Sequence, residues 1–328
     1  MPIPQILQGR LRLPVIGAPM FIVSGPELVL AQCKAGIVGA FPALNARPAS
    51  QLDDWLGEIR AELEAFARAH PDRPAAPFAV NQIVHGSNDR LEQDMALCVK
   101  HRVPIVITSL RPPAEVVAAV HGYGGIVFHD VINLRHAEKA AAQGVDGIIA
   151  VCSGAGGHAG LLSPFALVKQ IREIYSGAII LSGALSTGAD VLAAQALGAD
   201  LAYLGTRFIA STEGHASAEY KQMLVDSRGE DIVYTSLFSG VPGSYLRGSI
   251  ARAGFDPDHL PEADKSKMNF GTGGNSEVKA WRDIWSAGQS VSGIHDIASI
   301  EALVTRMAEE YRAAKERLVR PGVDFACA

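Results

Sequence analysis

The sequence predicts an α/β fold, a (β/α)8 TIM barrel with an inserted smaller cap domain near the C-terminus, on three observations. Short apolar runs alternate with amphipathic stretches from Val15 to Phe208, the alternation can be counted to eight, and the periodicity changes after Phe208. Strand and helix in alternation imply parallel strands joined by right-handed crossovers, and eight units are the number that closes a barrel. An open doubly wound sheet would need a glycine-rich dinucleotide fingerprint after its first strand, and Gly17-Ala18-Pro19-Met20 is not one.

The expected strands cover 15–20, 37–42, 78–84, 105–110, 126–131, 147–152, 178–183 and 201–208. Helical spacing fills the intervals, among them 26–35, 51–70, 90–102, 134–143, 164–175 and 188–197. From 235 to 280 the chain is rich in Gly, Ser, Pro and Asp and reads as part of a cap. A last helix over about 297–318 carries Ile300, Leu303, Val304, Met307 and Tyr311 on one face and should pack back on the barrel. The expected division is therefore a barrel over 1–212, a cap over 213–294 and a terminal helix over 295–328.

Composition narrows the function classes. The chain has 328 residues, 48% of them hydrophobic and 19% charged, with 33 glycines and a formal net charge of -5, as a loop-rich globular enzyme would. No basic stripe marks a nucleic-acid partner, and no apolar run approaches the roughly 20 residues of a membrane span. The start Met1-Pro2-Ile3-Pro4-Gln5 lacks a secretion signal, so a cytoplasmic location is expected. Cys33, Cys98, Cys152 and Cys327 are scattered and expected to be reduced thiols, without metal-type spacing. Cys152 precedes the glycine loop but has no basic neighbour in sequence to favour a thiolate. No metal site is expected.

Barrel chemistry sits at the C-terminal ends of strands and in the loops that follow. Read there in order, the chain gives Ala18-Pro19-Met20, Asn81-Gln82, His129-Asp130, the run Ala155-Gly156-Gly157-His158-Ala159-Gly160, Ser182-Gly183-Ala184 and Gly205-Thr206-Arg207. His158 falls in a strand-to-helix loop, among glycines that let backbone N–H groups approach a flat or anionic ligand, and its imidazole can move a proton near neutral pH. Glycines after strands seven and eight are placed where barrels bind phosphate, which points to a phosphorylated cofactor or substrate. Singly, Gly183 and Gly205 could be turn glycines and His129 an inner-barrel residue; the joint placement is what packing alone would not produce.

These residues meet a family. Gly17-Ala18-Pro19-Met20, Asn45-Ala46-Arg47-Pro48, Val80-Asn81, Ala155-Gly156-Gly157-His158, Ser182-Gly183-Ala184, Leu204-Gly205-Thr206-Arg207-Phe208 and Trp285-Ser286-Ala287-Gly288-Gln289 resemble the nitronate monooxygenases, formerly 2-nitropropane dioxygenases, which are FMN-dependent (β/α)8 barrels. The resemblance implies FMN as cofactor, with Gly183, Ala184, Gly205 and Thr206 around its phosphate. It places Ala18, Pro19, Met20 and Asn81 along the ring and ribityl chain, Gly156 and Gly157 beside the ring, and Ser286, Gly288 and Gln289 in contact from the cap. His129 is carried over as a further cofactor contact on strand five, and His158 as the catalytic residue, a base on a neutral nitroalkane or a hydrogen-bonding partner for a nitronate. The implied reaction is oxidation of alkyl nitronates by O2 to a carbonyl compound and nitrite. Flavin-dependent enoyl reductases are similar at the same motifs, so an NAD(P)H-dependent flavin reductase of enoyl-thioester or quinone type is the alternative. A non-redox barrel holding a phosphate ligand is a further one, although a Schiff-base aldolase would need a lysine that the eight strands lack. Two departures stand out. Many relatives have an acidic residue where this chain has Gly154, and many have a lysine on strand five where it has His129-Asp130. Physiological substrate and oligomeric state stay open, with a homodimer as the candidate assembly.

Overall fold

The computed structural model describes residues 3–261 and 282–319. Eight parallel strands form the barrel wall: β1 (Val15–Gly17), β2 (Gly39–Pro42), β3 (Phe78–Val84), β4 (Ile105–Leu110), β5 (Ile126–Val131), β6 (Gly147–Val151), β8 (Ala178–Ser182) and β9 (Leu201–Leu204). They pair in the order β1-β9-β8-β6-β5-β4-β3-β2, and a parallel bridge from Ile16 to Val38 closes the ring. The helices between them are α1 (Pro26–Ala35), α2 (Gln51–Ala69), α3 (Leu91–Lys100), α4 (Ala114–His121), α5 (Leu134–Ala142), α6 (Pro164–Ile174) and α7 (Gly188–Ala196). The two-residue strand β7 (Gly157–His158) lies between β6 and α6 and belongs to a second, small sheet.

Alternation along each strand sorts the residues into two layers. Ile16, Val38, Ile105, Ile107, Phe128, Ile149, Ile180 and Leu201 fill the barrel, and Leu7 from the N-terminal segment joins them. Val15, Val106, Val127, Ile148, Ile179 and Ala202 face outward into the helix layer. Each such fully buried aliphatic side chain stabilises by roughly 1.5–3 kcal/mol. Helix starts are fixed locally: Thr187 and Asp190 form a reciprocal cap on α7, and Ser163 caps α6.

The eighth strand ends earlier than expected. Leu204 is its last residue, and Thr206, Arg207 and Phe208 lie in a short helix, α8 (Thr206–Ile209), capped by Gly205. Helical backbone lets both Phe208 and Ile209 send N–H groups back to the Gly205 carbonyl, at 2.8 and 3.3 Å. Beyond it come α9 (Ala218–Asp226), β10 (Ile232–Thr235), β11 (Gly243–Leu246) and α10 (Arg247–Arg252); β11 pairs antiparallel with β10 on one side and β7 on the other. The expected cap also included 262–281, which lie outside the described residues, as does Cys327. The last helix, α11 (Ile300–Leu318), buries Ile300, Leu303, Val304 and Met307 and leaves Tyr311 half-buried, its hydroxyl on Gln195 at 2.5 Å. A Cβ on Gly188 would fall 1.8 Å from the Met307 carbonyl oxygen, so glycine is what allows α7 and α11 to touch. Among the described residues no helix is long and apolar enough to cross a membrane.

Candidate active site

The C-terminal strand ends surround a cavity of about 710 Å3, within the roughly 300–1,000 Å3 usual for small-molecule and cofactor sites. Of the residues singled out in the sequence, Ala18, Pro19, Met20, Asn81, Gly156, Gly157, His158, Gly183, Ala184, Gly205, Thr206 and Ser286 line it. His129, Gly288 and Gln289 do not.

His158 is held in β7 rather than in a free loop, by pairing with Gly243 on β11. Its Nε2 lies 2.9 Å from the Ser239 hydroxyl. That hydroxyl accepts from Tyr245 at 3.2 Å and lies 3.0 Å from the Val241 carbonyl, so the imidazole is fixed by a polar network from β11 and the loop before it. Burial pushes the imidazole down to about 4, so it is neutral at physiological pH.

The glycine loop is braced by the residues expected to reach in from the cap. Ser286 Oγ accepts from the Gly157 N–H and donates to the Ser244 carbonyl, both at 2.7 Å. Gly288 N–H donates to Thr206 Oγ1 at 3.0 Å, and Gln289 N–H donates to the Gly154 carbonyl at 2.9 Å. The segment is anchored behind by Trp285, which stacks on Tyr220 at 4.8 Å with the Arg252 guanidinium 3.5 Å from its ring centroid. Tyr220 in turn donates its hydroxyl proton to the Ser286 carbonyl.

At the ends of β8 and β9 the backbone is arranged differently. Gly183 adopts a φ of +141°, a conformation that needs glycine, and its Cβ position faces the Ser153 carbonyl at 2.8 Å. The Ala184 N–H is taken by the Gly154 carbonyl at 3.2 Å. The N–H groups of Gly183 and Thr206 make no hydrogen bond to another described residue, the latter because the first turn of a helix has no internal acceptor for it.

Strand five contributes Asp130 rather than His129. His129 shares the outward face of β5 with Val127 and Val131, where its Nδ1 lies 2.8 Å from Thr108 Oγ1; burial pushes it down to about 4. Asp130 faces the cavity with Phe128 below it in the barrel. Ser109 donates to Asp130 Oδ2 at 2.8 Å and itself accepts from Asn81 Nδ2 at 3.1 Å. Desolvation raises the Asp130 carboxyl to about 7, against the lowering effect of Ser109. The sequence carried the signal for this in its period of two: Ile105, Ile107 and Ser109 share a face, and so do Phe128 and Asp130. Ser239 and Tyr245, by contrast, left no such signal.

Cys152 is buried and its thiol is pushed up to about 12, which suits packing rather than nucleophilic attack. Cys33 and Cys98 are also buried and raised to about 12. Among the described residues no group of three or more His, Cys, Asp or Glu could hold a metal ion.

With this geometry in hand, comparison with known proteins is specific. The family model "Nitronate monooxygenase" matches residues 7–310. The nitronate monooxygenase of Paraburkholderia phytofirmans is 28% identical, over 93% of this chain and 94% of its own. The solved nitroalkane oxidase of Streptomyces ansochromogenes superposes with a TM-score of 0.77 at 23% identity, covering 96% of this chain and all (100%) of the other. FabK of Thermotoga maritima gives 0.76 at 22%, covering 97% and 99%. These structures share the fold, and the family match is to sequence across the barrel and the 286–289 brace alike: the chain is an oxidoreductase of the nitronate monooxygenase family.

Proposed function

We propose that the cavity holds FMN and that the protein oxidises alkyl nitronates with O2 to a carbonyl compound and nitrite. The observation that carries this reading is a neutral, fixed imidazole on the wall of a cavity whose far motifs leave backbone N–H groups unspent. The fit to FMN rests on features of the chain. Gly183 and Thr206 offer N–H groups for a terminal phosphate. At Gly205 a Cβ would meet Ala18 and Met20 only at ordinary contact distances of 3.5 Å and beyond, so the protein's own packing does not require glycine there. Ala18, Pro19 and Met20 supply an apolar wall for a flat ring. No dinucleotide fingerprint follows β1, which favours one terminal phosphate over an adenylate half.

Bound FMN would supply the redox chemistry. The chain's part is positional. Neutral His158 can approach a nitronate without forcing a second charge into a desolvated site, and the unprotonated nitrogen of its neutral ring is the kind of group that would take the α-proton of a neutral nitroalkane. The brace through Ser286, Gly288 and Gln289 keeps that imidazole at a fixed height above the strand ends. Residues 213–294 are read as the substrate-side cap, with Ser239 and Tyr245 as its polar contribution.

The test is a visible spectrum of the purified protein followed by anaerobic mixing with propionate 3-nitronate and, separately, with NADH. Rapid bleaching by the nitronate and not by NADH is expected. Bleaching by NADH alone would favour the enoyl-thioester or quinone reductase, and a protein that stays colourless after FMN is added would favour the non-redox barrel.

A further inference from the structure

Among the described residues, Asp130 is the one acidic side chain on the cavity wall, and part of it is unaccounted for by them. Its Oδ1 is shielded from solvent and has no hydrogen-bond partner among the described residues. A buried polar atom left alone is costly, because it has given up water and gained no partner, so a carboxyl placed this way on a ligand cavity calls for a partner in the ligand. The other oxygen is fully specified. Asn81 Nδ2 donates to Ser109 Oγ, and Ser109 spends its only proton on Asp130 Oδ2. Asn81 Nδ2 also reaches the Ile107 carbonyl at 3.3 Å, which fixes the amide and sets the direction of the whole chain.

We propose that Asp130 is the polar contact of the cavity floor for the flavin ring, donating a hydrogen bond from Oδ1 to an acceptor atom on the ring edge. The inference rests on the reading that the cavity holds FMN. Its proton is placed by elimination: Oδ2 is occupied as an acceptor by Ser109, so in the neutral acid the hydrogen belongs on Oδ1, the atom without a partner. The neighbours preserve that state. Across β4 the facing residue is Ser109 and along β6 they are Ile149 and Val151, none of them charged. The titratable and charged groups on the cavity wall are Tyr203, His136, His158, Arg47 and Arg282, with the phenols Tyr220 and Tyr234. Tyr203 is pushed up by burial and by the Asp130 charge, so it stays a neutral phenol; burial pushes His158 down to about 4 and shifts His136 in the same direction, while Arg47 donates to the Leu44 carbonyl and lies over the Phe21 ring and Arg282 pairs with Asp283, so neither guanidinium is bonded to Asp130. Desolvation of Asp130 itself favours the neutral acid. Once ionised, the carboxylate would face the ring acceptors with lone pairs only, and the contact would turn repulsive.

The experiment uses the flavin-loaded protein. Wild type, Asp130→Asn and Asp130→Leu are diluted at pH 6 and at pH 8.5, and released FMN is read as recovered flavin fluorescence. Asparagine keeps a donor and cannot ionise; leucine keeps neither property. The expected result is at least fivefold weaker retention by wild type at pH 8.5 than at pH 6, a smaller pH effect in the Asn variant, and weaker retention by the Leu variant already at pH 6. Equal pH dependence in wild type and Asn variant, or Leu retention equal to wild type at pH 6, overturns the assignment while leaving the flavin reading intact. A wild-type protein that takes up no FMN overturns the flavin reading and this inference together.

Discussion

The loop beside His158 and the turn at Gly205 use glycine for opposite purposes. Around His158, Gly156 and Gly288 let two backbones meet: a Cβ on Gly156 would sit 2.9 Å from the Gly288 nitrogen, and one on Gly288 would sit 2.5 Å from the Gly154 oxygen. At the ends of β8 and β9, Gly205 has room for a Cβ, and the N–H groups of Gly183 and Thr206 point to no acceptor among the described residues. The first end is closed by the protein itself, while the second leaves two backbone donors without a partner among the described residues. Glycine content alone marks both as sites, but only the surrounding distances tell a brace from a cradle.

The comparison can be broken most severely at His158. His158→Asn is expected to lower kcat/KM for a neutral nitroalkane by about 100-fold to 10,000-fold, the usual contribution of proton transfer, and to cost much less with the preformed nitronate. Equal losses on both forms of one nitroalkane would remove the base role, and no loss on either would remove His158 from the active site. Retained flavin in the variant would show that the effect belongs to this end alone.

Gly288→Ala tests the brace. Its Cβ meets backbone atoms that cannot swing away, so overpacking should destabilise by about 1–3 kcal/mol or more, measured by urea unfolding. Unchanged stability would mean that the 286–289 segment does not hold the loop. At the other end, Gly205→Val should leave urea stability near wild type and weaken FMN retention about tenfold or more, by crowding the approach to the first turn of α8. Full flavin occupancy in that variant would reduce Gly205 to a turn residue.

A pH-dependent effect of similar size lies between the two ends, at Asp130. Its folded carboxyl is raised to about 7 from an ordinary value near 3.8, so the unfolded chain releases this proton first and stability falls as pH rises through that window. Asp130→Asn removes the penalty. In the flavin-free protein, the variant should gain on wild type by on the order of 1–3 kcal/mol between about pH 4 and pH 7, with little difference below that range. Parallel pH profiles of melting temperature would show that the carboxyl ionises normally.

Sequence by itself determined the barrel, because strand and helix periods of two and 3.6 are local consequences of backbone geometry that apolar side chains must follow. The eight runs, the helices between them and the packing face of α11 all return in the structure. Most of the site residues named from the sequence line the cavity, since parallel strands bring their C-terminal ends to one rim. The exchange of His129 for Asp130 lay within reach too, as one step in a period of two. What only the tertiary structure decided were the contacts made across long separations. His158 becomes part of β7 only when β11 arrives from 85 or more residues away, its Nε2 is met by Ser239, which Tyr245 holds in turn, and Thr206 turns from a strand end into a helix that tethers Gly288. A hydrogen bond records donor, acceptor and distance, and none of these is encoded in the spacing of residues along the chain until the fold has brought both partners to the same place.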